Sequence, residues 1–193
     1  MGAPKHGGIR YSAISGGRKV LTEQIILVAV LGVTGCLLIA LESTLLSRIP
    51  LPVFGWQTAY PALGLLFSMA VGFLHGEREG GVTGLLSGIL TDAAGSETVM
   101  VLPLLYFLCG YLSGTVGKRR LAHNLPSFLV FALVGGGLFA LTSIGRAAIE
   151  SRSFPAPIWI WRGVVPVWLA TLVFAPAVYG IVWGEKKMME PKN

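Results

Sequence analysis

Long apolar stretches separated by short charged patches make up most of this chain. An uncharged, mainly apolar stretch of about eighteen or more residues is long enough to cross a lipid bilayer as a helix. Four stretches reach this length, in the residue ranges 24–41, 98–117, 126–145 and 163–184, and two shorter apolar stretches, 59–74 and 80–91, are further candidates. The pattern predicts an all-α polytopic membrane protein with six transmembrane helices.

The third stretch is the shortest of the six. Its uncharged part, from Gly80 to Thr91, has about twelve residues and by itself favours a re-entrant segment over a full crossing. Charge favours a full crossing, because cytoplasmic loops of membrane proteins are enriched in Lys and Arg. If all six stretches cross, only four of the fifteen Lys and Arg residues lie outside, namely Arg48, Arg146, Arg152 and Arg162. We therefore expect six spans with both termini in the cytoplasm.

Composition agrees with lipid as the solvent. Hydrophobic residues make up 53% of the chain and charged residues 12%, which is roughly half the charged share of a soluble domain. The net charge of +6 lies mainly in predicted cytoplasmic segments, so we interpret it as a topology signal and expect no nucleic-acid partner. The predicted organisation is a cytoplasmic polar N-terminal tail (1–19), a six-helix transmembrane domain (20–184) and a cytoplasmic C-terminal tail (185–193).

Three glycines recur every four residues in the third stretch. Gly80, Gly84 and Gly88 therefore share one face of a helix, and Asp92 continues that face one turn later. A strip without side chains allows another helix backbone to approach closely, as is typical of helix association in lipid. The strip predicts a close contact either within the bundle or with a partner, and we expect Gly88→Leu to weaken complex formation.

Asp92 is the ionisable residue that the pattern places deepest in the membrane. A carboxylate at that depth costs a few kcal/mol on insertion scales, which argues for a partner or a wet cavity. One interpretation is an ion pair with an Arg such as Arg48 or Arg146, or with another subunit. The other is that Asp92 reaches the outer interface, where residues 92–96 form a turn and Ser96 caps the fourth helix. The sequence leaves both open.

A basic patch follows the fourth stretch. Lys118, Arg119 and Arg120 lie next to the predicted cytoplasmic leaflet, where each cation gains about 1 kcal/mol near anionic lipid. We interpret the patch as a lipid anchor, with docking of a cytoplasmic protein as the alternative. The three histidines, at positions 6, 75 and 123, are too scattered for a metal site or a catalytic dyad. We therefore expect no cofactor and no enzymatic activity.

The segment that carries the glycines resembles a known family. GGVTGLLSGILTDAAGSETVMVLPLLYFLCGYLSGTVGKRR, which begins at position 80, contains Gly-x3-Gly, an Asp, a short Gly-containing turn, an apolar span ending in Gly-Tyr-Leu, and basic residues. This pattern is similar to the MreD family of bacterial rod shape-determining membrane proteins. Gly84, Gly88, Asp92 and Gly95 fall on the recognisable motif, and the likeness extends from about position 37 to position 187.

Two positions depart from the family pattern. Ala62 follows Pro61 where an acidic residue is common in the family, and Glu42 stands where many members have Gln. The first departure removes any role that would rest on that carboxylate.

The resemblance implies a function. It implies a non-enzymatic scaffold of the elongasome in the bacterial cytoplasmic membrane, which binds MreC. That complex links MreB filaments to RodA and its class B transpeptidase partner, which synthesise lateral peptidoglycan and maintain rod cell shape. Membrane lipids are further expected partners, and self-association stays open. The family's fold is also similar to the six-helix substrate-binding subunits of energy-coupling factor vitamin transporters, so a small-molecule-binding transporter subunit is the alternative function.

Overall fold

The computed structural model describes residues 9–46, 61–95, 101–120, 124–151, 161 and 164–189. Six α-helices are described, together with a π-helical turn (Glu42–Leu46), and no strand is found among these residues. The helices are α1 (Ile9–Leu41), α2 (Leu63–His75), α3 (Glu77–Gly95), α4 (Leu102–Arg120), α5 (Leu125–Ser151) and α6 (Val165–Met189). The expectation of an all-helical protein is confirmed for this part of the chain.

Each predicted span overlaps one of these helices, but the lengths of the helices differ. Three helical segments are both long and apolar enough to cross a membrane, namely Ile25–Thr44, Leu125–Arg146 and Val165–Met188. Two further apolar helical segments, Leu63–His75 and Leu102–Gly117, are shorter. The three long segments indicate association with a membrane.

The chain divides into two compact units, residues 1–34 and 35–193. In the first unit, α1 begins at Ile9, inside the segment predicted as a polar tail. Its apolar side chains from Ile25 to Val33 are mostly exposed, as expected of a helix that faces lipid. At the other end of the chain, α6 extends to Met189 and so continues past the predicted end of the last span.

In the second unit, α2 is buried on every side. All twelve residues from Leu63 to Leu74 are buried, and a helix that is apolar all round is typical of a core position. The thirteen residues of α2 measure about 20 Å, which is less than the roughly 30 Å of a bilayer's hydrocarbon core. The backbone groups at both ends of α2 therefore need polar partners within the protein.

The two neighbouring helices α3 and α4 pack backbone against backbone. A Cβ atom built on each of three α3 glycines would overlap the α4 backbone: Gly80 at Gly110, Gly84 at Tyr106, and Gly88 at Pro103. The residue numbers of these contacts decrease along α4 while they increase along α3, so the two helices are antiparallel. Small residues at such a contact allow a close approach that larger side chains would prevent.

An aromatic cluster joins α2 to α5 and α6. The ring centroid of Phe73 on α2 lies 6.1 Å from that of Phe128 and 6.0 Å from that of Phe131, both on α5. The ring of Tyr179 on α6 lies 6.4 Å from Phe73 and 5.2 Å from Phe128. Tilted aromatic pairs at these distances add to the stabilisation from buried area, so the cluster holds the C-terminal half of α2 against α5 and α6.

Candidate functional site

The N-terminal end of α2 is held by side chains from two other elements. The amide of Gly64 donates to Oε2 of Glu42 at 3.2 Å, and the amide of Ala62 donates to Oγ1 of Thr171 at 3.0 Å. The first amides of a helix have no partner within the helix, and a negative charge beside them is favourable because of the helix dipole. Glu42 and Thr171 therefore cap α2 from the end of α1 and from α6.

The C-terminal end of α2 has a cationic partner. The ammonium group of Lys186 on α6 donates to the carbonyl oxygen of Leu74 at 3.0 Å. The helix ends at Gly76, whose φ of 136° is accessible to glycine at little steric cost. The Gly76 amide donates a hydrogen bond to the carbonyl oxygen of Gly72. A cation beside the last carbonyls complements the negative end of the helix dipole.

Asp92 lies beside Arg146 and not in a turn. Its side chain is 1% exposed, and Oδ1 is 3.9 Å from Nη1 of Arg146. Residues 92–95 are helical, since α3 continues to Gly95. Of the two interpretations left open by the sequence, the ion pair with Arg146 is the one that the structure contains. Arg48 and Ser96 lie outside the described residues.

A group of polar side chains, here called the polar cluster, surrounds the start of α2 and consists of Glu42, Thr91, Asp92, Tyr106 and Arg146. A Cβ atom built on Gly64 would lie 3.3 Å from the Tyr106 ring and 3.5 Å from the Thr91 hydroxyl. The Tyr106 hydroxyl lies beside that of Thr91, and Asp92, the next residue on α3, lies beside Arg146. These side chains come from α3, α4, α5 and the turn after α1, so the polar cluster is assembled only by the folded bundle.

The predicted glycine face lies inside the second unit. Gly80, Gly84 and Gly88 contact α4, so these three glycines are occupied by an internal helix contact. Gly95 is the last residue of α3. We still expect Gly88→Leu to weaken complex formation, but the physical route is a separation of α3 from α4 and not the loss of an exposed partner surface.

The predicted basic patch ends α4. Lys118, Arg119 and Arg120 are the last three residues of that helix. The structure does not bring them together with the polar cluster: Pro103 near the start of α4 packs on Gly88, while Gly114 near its end packs on the backbone of Glu77. The patch therefore belongs to the opposite end of the α3–α4 pair from Asp92.

Sequence reasoning missed the capping roles of Glu42, Thr171 and Lys186. Glu42 entered as the charge after the first apolar stretch and as a departure from the family pattern, and Lys186 counted only among the cytoplasmic charges. Thr171 lies within the last apolar stretch. Hydropathy gives no signal for such a role, because each of these side chains acts on the backbone of a helix distant in sequence. A short apolar stretch, such as 59–74, is the one available hint that its helix ends need polar partners from elsewhere.

Comparison with known proteins adds no further constraint. The chain matches no protein-family model, no curated protein and no solved structure. In the part of the chain that the structure describes, no three His, Cys, Asp or Glu side chains are grouped as a metal site.

Proposed function

We propose that this protein is a non-catalytic scaffold of the bacterial cell-elongation machinery. In this proposal it binds MreC in the cytoplasmic membrane and helps to couple MreB filaments, indirectly, to RodA and its class B transpeptidase partner. The proposal rests on the resemblance of residues 80–120 to the MreD family. The observation that supports it is the burial of all residues of α2 from Leu63 to Leu74. A unit with a buried helix at its centre contacts its partners through its outer helix faces and loops.

The outer face of α3 is one such surface. With its glycines against α4, this helix exposes large apolar side chains on the other side, namely Val82, Leu85, Leu86, Ile89 and Leu90. In a membrane, side chains of this kind contact either lipid or a helix of another protein. The family-like segment therefore combines an internal packing face with an outer face that is open to a partner.

We further propose that all six helices cross the membrane with both termini in the cytoplasm. Charge asymmetry along the chain supports this orientation. So do contacts in the second unit: Gly64 at the start of α2 adjoins Thr91 near the end of α3, whereas the end of α2 adjoins Lys186 near the end of α6. Single cysteines introduced at 97 and 119 of a Cys-free variant should react with an impermeant maleimide from outside and inside respectively. The reverse pattern would refute this orientation.

Depletion of the protein in a rod-shaped host that encodes it tests the function. Loss of the scaffold should turn rods into round cells, because lateral wall synthesis would lose its organisation. Affinity purification in native lipids should recover MreC and cell-wall synthases. Unchanged cell width and shape after depletion, with none of these proteins recovered, would contradict the proposal.

A matched pair of variants connects the function to the structure. Gly88→Leu places a large side chain against the α4 backbone at Pro103, whereas Gly137→Leu introduces the same side chain at a glycine with no atom within 4 Å of a Cβ position. Recovery of MreC should fall for the first variant and persist for the second. Equal recovery of MreC with both variants would contradict a role of the glycine face in binding MreC.

The second candidate function is a substrate-binding membrane subunit of a small-molecule transporter. The polar cluster supports this second function, because binding of a small polar molecule requires several polar side chains at one place, and the cluster places such side chains at one end of the bundle. This function predicts a ligand in the purified protein and an ATPase module among co-purifying proteins. The same affinity purification therefore separates the two functions.

A further inference from the structure

Three consecutive charged residues near the end of α6 have different surroundings. Glu185 is buried, and the ammonium group of Lys186 donates to the carbonyl oxygen of Leu74 on α2 at 3.0 Å. Lys187, the next residue, is exposed. The first two residues fix the rotation of α6 about its axis, so Lys187 faces away from α2 and out of the bundle.

Lys187 lies over an exposed tryptophan. Its Nζ atom is 5.2 Å from the centroid of the Trp183 ring, which is a cation–π contact between residues one helical turn apart. Trp183 itself is 48% exposed. Because the ring attracts the ammonium group, the pair presents a positive charge at a defined place on the outer surface of α6.

The pair offers hydrogen-bond donors to a ligand. An ammonium group and an indole N–H both donate hydrogen bonds and accept none, and the structure gives Lys187 and Trp183 no acceptor among the described residues. A phosphate group has several oxygens and a negative charge, so it can accept from both donors. Hydrogen bonds from an ammonium group to a phosphate are charge-assisted and therefore strong.

The surroundings of the pair are apolar. Ile181 and Met188 are exposed on the same helix, and Gly184 beside Lys187 has no atom within 4 Å of a Cβ position, which leaves room for an acyl chain. The pair also stands at the end of Val165–Met188, a segment long enough to cross a membrane, where Trp and Lys side chains meet lipid headgroups. These surroundings favour the phosphate of a phospholipid over a free phosphate ion.

We propose that Trp183 and Lys187 bind the phosphate group of an anionic phospholipid, whose acyl chains lie along the outer face of α6. An anionic lipid is preferred because a zwitterionic headgroup carries its own cation beside the phosphate. The site is separate from the basic patch, which ends α4. The inference goes beyond the proposed scaffold role, because it concerns a lipid site on the folded chain and is measured without any partner protein.

Thermal unfolding of the purified full chain in detergent tests the proposal. The unfolding midpoint is measured as phosphatidylglycerol is added, with phosphatidylcholine of the same acyl chains and inorganic phosphate in parallel series. At ten times its dissociation constant, phosphatidylglycerol should raise the midpoint by about 3 to 6 °C. Phosphatidylcholine should raise it less, and inorganic phosphate should leave it unchanged. An equal rise with phosphatidylcholine overturns the preference for an anionic lipid, and an equal rise with inorganic phosphate overturns the lipid assignment.

Variants assign the response to the pair. Lys187→Gln should weaken the apparent affinity for phosphatidylglycerol roughly five-fold, the contribution of one cation near anionic lipid. Trp183→Leu keeps an apolar side chain but removes the indole N–H, and it should also weaken the affinity. Arg78→Gln is the matched control, because it removes an exposed cation from α3, outside the site, and should keep the wild-type affinity.

Native mass spectrometry gives the second measurement, since it counts the lipids that stay bound to each protein molecule. At a small molar excess of phosphatidylglycerol, the wild-type protein and Arg78→Gln should retain one lipid that Lys187→Gln loses. A wild-type protein that retains no phosphatidylglycerol, or equal retention by Lys187→Gln and Arg78→Gln, would overturn the proposal.

Discussion

Gly84 is the position where the packing of α3 on α4 makes the sharpest prediction. A Cβ atom at this residue would lie 2.6 Å from the carbonyl carbon of Tyr106 and 3.0 Å from the amide nitrogen of Phe107, and it would overlap the Tyr106 oxygen. Ordinary contacts of this kind are 3.4–4 Å. Because the obstacle is the main chain, no rotamer change relieves it, and Gly84→Ala must push the two helices apart by about 1 Å.

The cost follows from the size of that displacement. Overpacking by a methyl group in a tight interior costs about 1–3 kcal/mol, while replacing a helical glycine by alanine contributes about 0.5–1 kcal/mol in the opposite direction. Gly137→Ala is the matched control, since no atom lies within 4 Å of its Cβ position and only the propensity gain applies. The difference between the two variants therefore isolates the steric cost, about 1–3 kcal/mol.

The assay is reversible unfolding of the purified variants in mixed micelles of a mild detergent and dodecyl sulfate. Gly84→Ala should unfold at a lower fraction of dodecyl sulfate than wild type, and Gly137→Ala at the same or a higher fraction. In thermal unfolding, a difference of 2 kcal/mol corresponds to about 4–8 °C for a chain of this size. Equal stability of the two alanine variants would refute the backbone contact between α3 and α4.

Three further predictions concern the ends of α2, each measured by the same unfolding assay. Lys186→Met should destabilise the protein by about 1–2 kcal/mol, because it removes the cation at the last carbonyls of α2. Lys187→Met removes the same charge from an exposed side chain and should cost less than half as much. Glu42→Ala should cost about 1–2 kcal/mol, whereas Glu42→Gln should cost less, since an amide oxygen still accepts from the Gly64 amide. Thr171→Val should cost about 1–2 kcal/mol, because it leaves the amide of Ala62, just before α2, buried and without a hydrogen bond. Wild-type stability in all of these variants would mean that side chains do not hold the ends of α2.

The sequence by itself determines much of the helical framework. A helix is present in each of the six apolar stretches. The length of an apolar stretch and the spacing of the charged residues around it indicate which segments avoid water. The four-residue spacing of Gly80, Gly84 and Gly88 likewise determines that they share one helix face, since this follows from the helical repeat alone. The depth of Asp92 in the membrane stays a prediction from the sequence, and the structure shows that its side chain is buried within the protein.

Only the tertiary structure decides which groups meet. It places the glycine face against α4, chooses Arg146 beside Asp92, and brings Glu42 and Lys186 to opposite ends of α2. The physical reason is that hydropathy describes the preference of each segment for its solvent, whereas these contacts join helices distant in sequence. Their partners are selected by the close packing of the whole bundle, in which a buried backbone group must find whichever polar side chain the neighbouring helices bring to it.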